Sequence, residues 1–442
     1  MRYIKFFITL SFLITFLILS AQPQSLDSLV REALRNNPQM KAFKYQREAS
    51  EYRANASSSL PAPTLGVEFS QIPTSSANIL NDAISNNLSI SQMFMIGGKL
   101  SAMSEVERRR GFVIDQNKAS YDVQLRARIK MNYYQLWLLD RQIEVQRRTL
   151  TLLDNLVEAM QPHVVTNRMR QADLLSIQAE AASERAQLSE KISRRTGLIS
   201  VLNSFMGRND ITTPITTDSL LPAIGLKNSE SILAEQIRSK NPNLVAMDRM
   251  KEMNEAMIVS VQKELIPDLM VQAMVMRMPN GMILTSGSRS MYAIQQSMAG
   301  MPMQKTDWMY SIMASITLPF MPWSVERSTA KAGEMRSTNL GINAERDAMQ
   351  REMIASLRSS MIKYATNDSL VKQYESEILP LVKQSAEAQT IAYQNGQVPI
   401  TTVLDSRRME LMKQDDYYMV QTERQMALVE IEMMVGAPLN ND

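Results

Sequence analysis

The chain reads as a duplicated α+β membrane protein in which each half supplies one β-hairpin and one long helical hairpin. Three observations predict this. Two stretches repeat one order of residues, from Ser25-Leu26-Asp27 through Asn37-Pro38 to Pro63-Thr64-Leu65, and from Ser229-Glu230-Ser231 through Asn241-Pro242 to Pro267-Asp268-Leu269, with both proline pairs offset by 204 positions. Each half holds two short segments of strict alternation, the period of a strand. Each half then holds a helical stretch far longer than a globular helix. A repeat of about half the chain is a duplicated domain rather than a solenoid unit.

Composition sets the limits. With 442 residues and 45% hydrophobic content the chain folds rather than staying disordered. Residues 1–21 read as a secretory signal: Arg2 and Lys5, an apolar run from Phe6 to Leu19, then Ser20-Ala21. A single spanning helix is the other reading, but the run is short and no basic flank follows. Removing it takes away two basic residues and no acidic ones, so the charge falls from +3 to +1. A near-neutral exported protein has no electrostatic case for nucleic acid. With no Cys there is no disulfide and no lipidation on an N-terminal cysteine. One His supports no nucleophile–His–acid set, and no glycine-rich phosphate loop occurs, so neither an enzyme nor a cofactor is expected. His163, after Pro162, reads as a surface or capping residue rather than a ligand.

The first half (22–207) opens with a helix over Leu26–Arg35. Pro38 starts the next helix at its first turn, where proline is tolerated, and Pro61 and Pro63 stop it past Ser58. In Thr64–Gln71 the residues Leu65, Val67 and Phe69 share one face, while Gly66, Glu68 and Ser70 share the other. Asn87–Ser91 alternates again, and Gly97-Gly98 closes a hairpin spanning 64–95. From Lys99 to Val165 the only Gly is Gly111 and the only Pro is Pro162. Such a helix is roughly 100 Å long and calls for coiled-coil neighbours. A turn at Asn167–Gln171 and a helix from Ala172 to Phe205 follow. Residues 208–228, rich in Thr, Pro and Asp, link the halves. The second half (229–436) repeats the order, with strands Asp268–Met278 and Trp308–Leu318 in a hairpin over 268–318. Next come a helix from Val325 to Tyr393, a turn at Asn395-Gly396, a last helix to Gly436, and a tail over 437–442.

Four strands of about ten residues in an exported chain suit tilted transmembrane strands. An ordinary soluble sheet is the competing reading. Four strands cannot close alone, lipid tolerates no open edge, and the smallest barrels have about eight strands, so membrane insertion requires oligomerisation. Trp308 and Tyr310 at one end of the last strand, and Phe320 and Trp323 past the other, sit where interfacial girdles belong.

The duplicated Asn-Pro helix, the two hairpins, the long helices and the terminal pattern Tyr393-x-x-Gly396, Val403-Leu404-Asp405 and Val435-Gly436 resemble the TolC family of outer-membrane efflux channels. The resemblance implies a homotrimer whose strands close a 12-stranded barrel in outer-membrane lipid and whose helices form a coiled-coil tunnel in the periplasm. It implies two partners, a periplasmic adaptor and an inner-membrane pump of the RND type. It places adaptor-contact tips at Asn167 and Arg168 and at Asn395 and Gly396, and an aperture at Asp405, Thr402 and Asp173. Relatives often carry a second Asp at the Thr402 position, so one acid remains per tip. For Asp405 and Asp173 a carboxylate placed to suit the helix dipole is an equally good reading.

Of 35 methionines, twelve lie between Met270 and Met321. On the third and fourth strands one face carries Met270, Met274, Met276, Met278, Met309 and Met313 among Ser, Thr and Gln, and the first hairpin has no Met on that face before Met93. The intervening loop adds Met282, Met291, Met298, Met301 and Met303. Thioethers select soft cations, so one reading is a Met-lined exit for Cu(I) or Ag(I). The other is that Met is an adaptable filler. Met412, Met419, Met426 and Met433, seven apart, read as a packing seam. A general drug-efflux or type I secretion channel, and a structural periplasmic coiled-coil protein, are the alternative functions.

Overall fold

The computed structural model describes residues 25–72, 74, 78–165, 171–221, 225–279 and 307–439, apart from the side chains at 163–165 and 173. Helices α1 (Leu26–Asn36) and α2 (Pro38–Ser58) lead to strand β1 (Thr64–Ser70), the single turn α3 (Ile79–Asp82), β2 (Ser85–Phe94), α4 (Lys99–Val165) and α5 (Gln171–Phe205). The second half gives α6 (Glu230–Lys240), α7 (Pro242–Lys263), β3 (Leu269–Met278), β4 (Asp307–Ile316), α8 (Pro322–Gln373), a π turn (Tyr374–Ile378), α9 (Leu379–Gln394) and α10 (Ile400–Val435). No described helix is long and apolar enough to cross a membrane.

One expected element differs. The helix read from Val325 to Tyr393 starts earlier, at Pro322, and is interrupted by the π turn. The cause is Pro380. It lacks the N–H that would bond the Ser376 carbonyl, and its ring crowds that carbonyl, so the turn widens. The Leu379 N–H donates to the Tyr374 carbonyl, the five-residue bond of a π turn.

Contacts divide the chain into two compact units, each drawn from both halves: Met1–Tyr45, Ile114–Met247 and Ala344–Asp442 form one, Gln46–Val113 and Asp248–Asn343 the other. The first unit holds two apolar cores that repeat each other. Leu29, Ala33, Met40, Leu202 and Met206 pack in one, and Leu233, Ile237, Leu244, Ile431 and Val435 in the other. The first three pairs are offset by 204 residues and the last two by 229. Residues after Phe205 are tied down rather than loose. Asn203 Nδ2 donates to the Ile211 and Thr213 carbonyls, both at 2.9 Å, and Arg208 pairs with both carboxylate oxygens of Glu32 at 2.7 Å.

The second unit contains the sheet, an antiparallel meander of order β1-β2-β3-β4. Lys99 Nζ meets Asp268 Oδ1 at 2.7 Å, joining the start of α4 to the residue before β3. Beside these strands, Ser50 Oγ donates to the Glu107 carbonyl at 2.6 Å and Ser328 Oγ to the Val261 carbonyl at 3.0 Å. Small side chains bonded to a neighbour's backbone let these helices approach closely.

Candidate functional site

The sheet register assigns every strand residue to a face, because direct cross-strand partners point the same way. One face is apolar: Leu65, Ile90, Ala273 and Ile312 form one row across the four strands, and Val67, Leu88, Val275 and Tyr310 form the next. It is also open, with Leu65 at 68%, Tyr310 at 85% and Ile312 at 74% exposure. A contiguous exposed apolar face of this size marks an interaction surface. At the loop end of that face Arg277 partners Trp308, a cation beside an indole as at a membrane–water boundary.

The opposite face carries the expected methionines. Its rows are Glu68–Asn87–Met276–Met309, Gly66–Ser89–Met274–Ser311 and Thr64–Ser91–Gln272–Met313. Met270 lies between Met93 of β2 and Ser315 of β4, and Met278 faces Asp307. All six named strand methionines therefore share this face, and the register adds Met93 as a direct partner of Met270. Met313 is exposed, and the other five of the six are half-buried. Met282, Met291, Met298, Met301 and Met303 lie outside the described residues. Sequence reasoning passed over the row that joins Glu68 and Asn87 to Met276 and Met309. Both polar residues were visible on the right face, but their alignment depends on β2 pairing with β3 from the other half.

The α9–α10 turn is built by Gly396. At φ +71° it sits in the left-handed region that glycine enters freely. The N–H groups of Asn395, Gly396 and Gln397 then donate back to the carbonyls of Ile391, Tyr393 and Ala392 at 3.1, 2.8 and 2.9 Å. Pro399 caps α10 from extended backbone. Thr402 is half-buried in the first turn of α10, and Asp405 is exposed one turn later. The helix dipole acts within the first turn, so it gives Asp405 little reason to be acidic. Around it a small cavity of about 100 Å³ is lined by Leu153, Leu156, Glu180, Thr401 and Arg408 among others. Arg408 pairs with Glu180 of α5 at 2.8 Å. Asp173 lies in α5, its side chain outside the described set, and Asn167 and Arg168 lie outside the described residues.

Further along α10 is a polar and aromatic cluster. Tyr417 Oη donates to Glu375 Oε1 of the π turn at 2.6 Å, and Tyr418 stacks edge-on against Trp137. Burial holds the Asp415 carboxyl above the usual carboxylate range, against the pull of Lys191 and of the Gln142 amide. Met412, Met419 and Met433 are exposed on α10, so the heptad seam is not packed in this chain's own core.

Residues 29–196 match the family described as outer membrane efflux protein. A curated relative from Salmonella typhimurium, described as "Probable outer membrane lipoprotein SilC", is 21% identical over 402 residues, covering 86% of this chain and 78% of its own length. Among solved structures, CusC, described in terms of folding and transmembrane channel formation, covers 94% of this chain and 92% of its own at a TM-score of 0.70 and 14% identity. The outer membrane protein VceC of Vibrio cholerae covers 95% and 98% at a TM-score of 0.68 and 15% identity. At these identities the solved structures show a shared fold. The resemblance read from the sequence is borne out: residues 29–196 match the outer membrane efflux protein family, and the chain is similar over most of its length to outer-membrane channel proteins whose fold it shares.

Proposed function

We propose that this chain is the outer-membrane exit duct of a tripartite efflux system and that it passes Cu(I) or Ag(I). The carrying observation is the two-faced sheet. Its apolar face is open and its outer strands, β1 and β4, present backbone edges. Lipid cannot accommodate such edges, so β4 of one copy pairs with β1 of the next, and three copies close twelve strands. The apolar face then meets lipid and the polar, methionine-bearing face lines the lumen. Asn395 and Gly396, with Asn167 and Arg168, form the ends that meet the adaptor. Asp405, Thr402 and Asp173 narrow the aperture, and an RND-type pump loads the duct. The soft-metal assignment is supported by six methionines on one sheet face and by similarity to a protein named for SilC.

The test is deletion of the gene followed by complementation. The expected result is sensitivity to silver and copper salts that the intact gene reverses, with tolerance to dyes, detergents and antibiotics unchanged. Sensitivity confined to those organic compounds would replace the metal reading by general drug efflux. Native trimers that resist cold detergent and dissociate on heating would support closure. A monomer in outer-membrane extracts would overturn it.

A further inference from the structure

The register gathers the strand methionines more tightly than their alternation implies. Met309 has Met276 directly opposite on β3, and Met274 and Met278 at its two diagonals. Directly opposed residues have Cβ atoms about 5 Å apart, and diagonal ones stand within reach of long side chains. Met has three rotatable bonds and a polarisable sulfur, so the opposed pair Met276 and Met309 can converge on one point with one diagonal neighbour, Met274 or Met278, which themselves stand about 13 Å apart along β3. The same row continues through Asn87 to Glu68. Asn87 is 8% exposed, its Nδ2 donates to Glu68 Oε2 at 3.4 Å, and its Oδ1 has no hydrogen-bond partner among the described residues. A buried carbonyl oxygen without a donor is costly unless something positive satisfies it.

On the soft-metal reading above, we propose that Met276 and Met309, with Met274 or Met278 as the third ligand, form a thioether site for one monovalent soft cation, Cu(I) or Ag(I), with the unpartnered Asn87 acceptor beside it and the Glu68 carboxylate further along the same row. Three soft, neutral sulfurs suit a d¹⁰ monovalent ion and disfavour Mg, Ca and Zn, which want oxygen, imidazole or thiolate. Neutral ligands leave the ion's charge uncompensated, and Glu68, two strands away in the same row, supplies the balancing field. A site of this kind holds its ion reversibly, as an exit path requires. Met93 and Met270, paired directly on β2 and β3, offer a second, two-sulfur station on the same face.

The test uses the purified full chain in detergent. Cu(I) is presented in a chromophoric chelator complex under anaerobic conditions, and Ag(I) as nitrate in chloride-free buffer. The expected result is withdrawal of Cu(I) from the chelator by wild type, with a sulfur-only first shell in X-ray absorption of the silver form. Met309→Leu, a swap close in volume, should weaken Cu(I) binding by about tenfold or more. Met412→Leu with Met419→Leu, on the exposed face of α10, should not. Asn87→Leu should weaken binding while leaving the sulfur shell unchanged. Unaltered affinity in Met309→Leu, or oxygen and nitrogen ligation of silver, overturns the site. Because binding is read on isolated protein, it separates from the cellular test. Metal tolerance that depends on the gene, with affinity indifferent to Met309, removes this site and leaves the exit-duct reading standing.

Discussion

Asn241 Nδ2 donates to the Met434 carbonyl at 2.7 Å, and the same side chain's Oδ1 accepts from the Asn243 N–H at 2.9 Å. One buried amide thus closes the end of α10 and caps the start of α7. Asn37 does the same between Phe205 and Gln39, at 2.8 and 2.9 Å. The prolines that follow both asparagines remove one unsatisfied N–H at each helix start. Asn241→Ala leaves a carbonyl and an N–H without these partners at a fully buried position, so it should cost about 2–4 kcal/mol. Asn37→Ala should cost a similar amount. Urea titration of the helical signal in detergent checks both.

Gly436 and Gly207 end the helices that these asparagines lock. Their φ angles are +81° and +69°. A Cβ at Gly436 would lie 2.6 Å from Pro242 Cδ, and one at Gly207 would lie 2.8 Å from the Asn36 carbonyl oxygen. At Gly396 it would meet nothing within 4 Å. All three alanine variants should carry the left-handed cost of about 1–2 kcal/mol. Gly436→Ala and Gly207→Ala should lose more because of the clash. Ranking the three melting temperatures decides this, and equal losses would show that the close approach relaxes freely.

Asp415 gives a pH dependence with a definite sign. Its folded pKa is raised, chiefly by burial. The folded chain therefore binds this proton more tightly than the unfolded one. The favourable contribution is whole below the unfolded value of about 3.9 and is lost as pH rises through the folded value. Its Oδ1 has no hydrogen-bond partner among the described residues, while Gln142 Nε2 approaches Oδ2 at 3.4 Å. Asp415→Asn should thus be more stable than wild type at pH 7, with the difference closing toward pH 4. Equal stability of the two proteins across that range would refute it.

Asp405 is exposed and lies past the first turn of α10. Asp405→Asn should leave helix stability within about 0.5 kcal/mol. As an aperture residue its change should alter single-channel conductance and cation preference in planar bilayers. Identical conductance would return it to the ordinary surface.

Much of the fold was legible because its signals are local. The alternation in Thr64–Ser70 and in Leu269–Met278, the proline boundaries and the 67-residue α4 can each be read without knowing any distant contact. The π turn was missed because Pro380 lies well inside a stretch of otherwise strong helix formers. The tips were read from one glycine turn, and only the Asn395–Gly396 side falls in the described residues.

The sequence by itself determined which strand residues share a face, because side chains alternate with period two whatever the neighbours are. It also determined that neither half could satisfy its strand edges alone. Only the tertiary structure decided which residues meet across those strands. That choice rests on the pairing of β2 with β3, strands from opposite halves, where Phe94 partners Leu269 and Asn87 partners Met276. A one-residue slip there would turn every methionine to the other face. The list of methionines belonged to the sequence, and their gathering around Met309 belongs to the register.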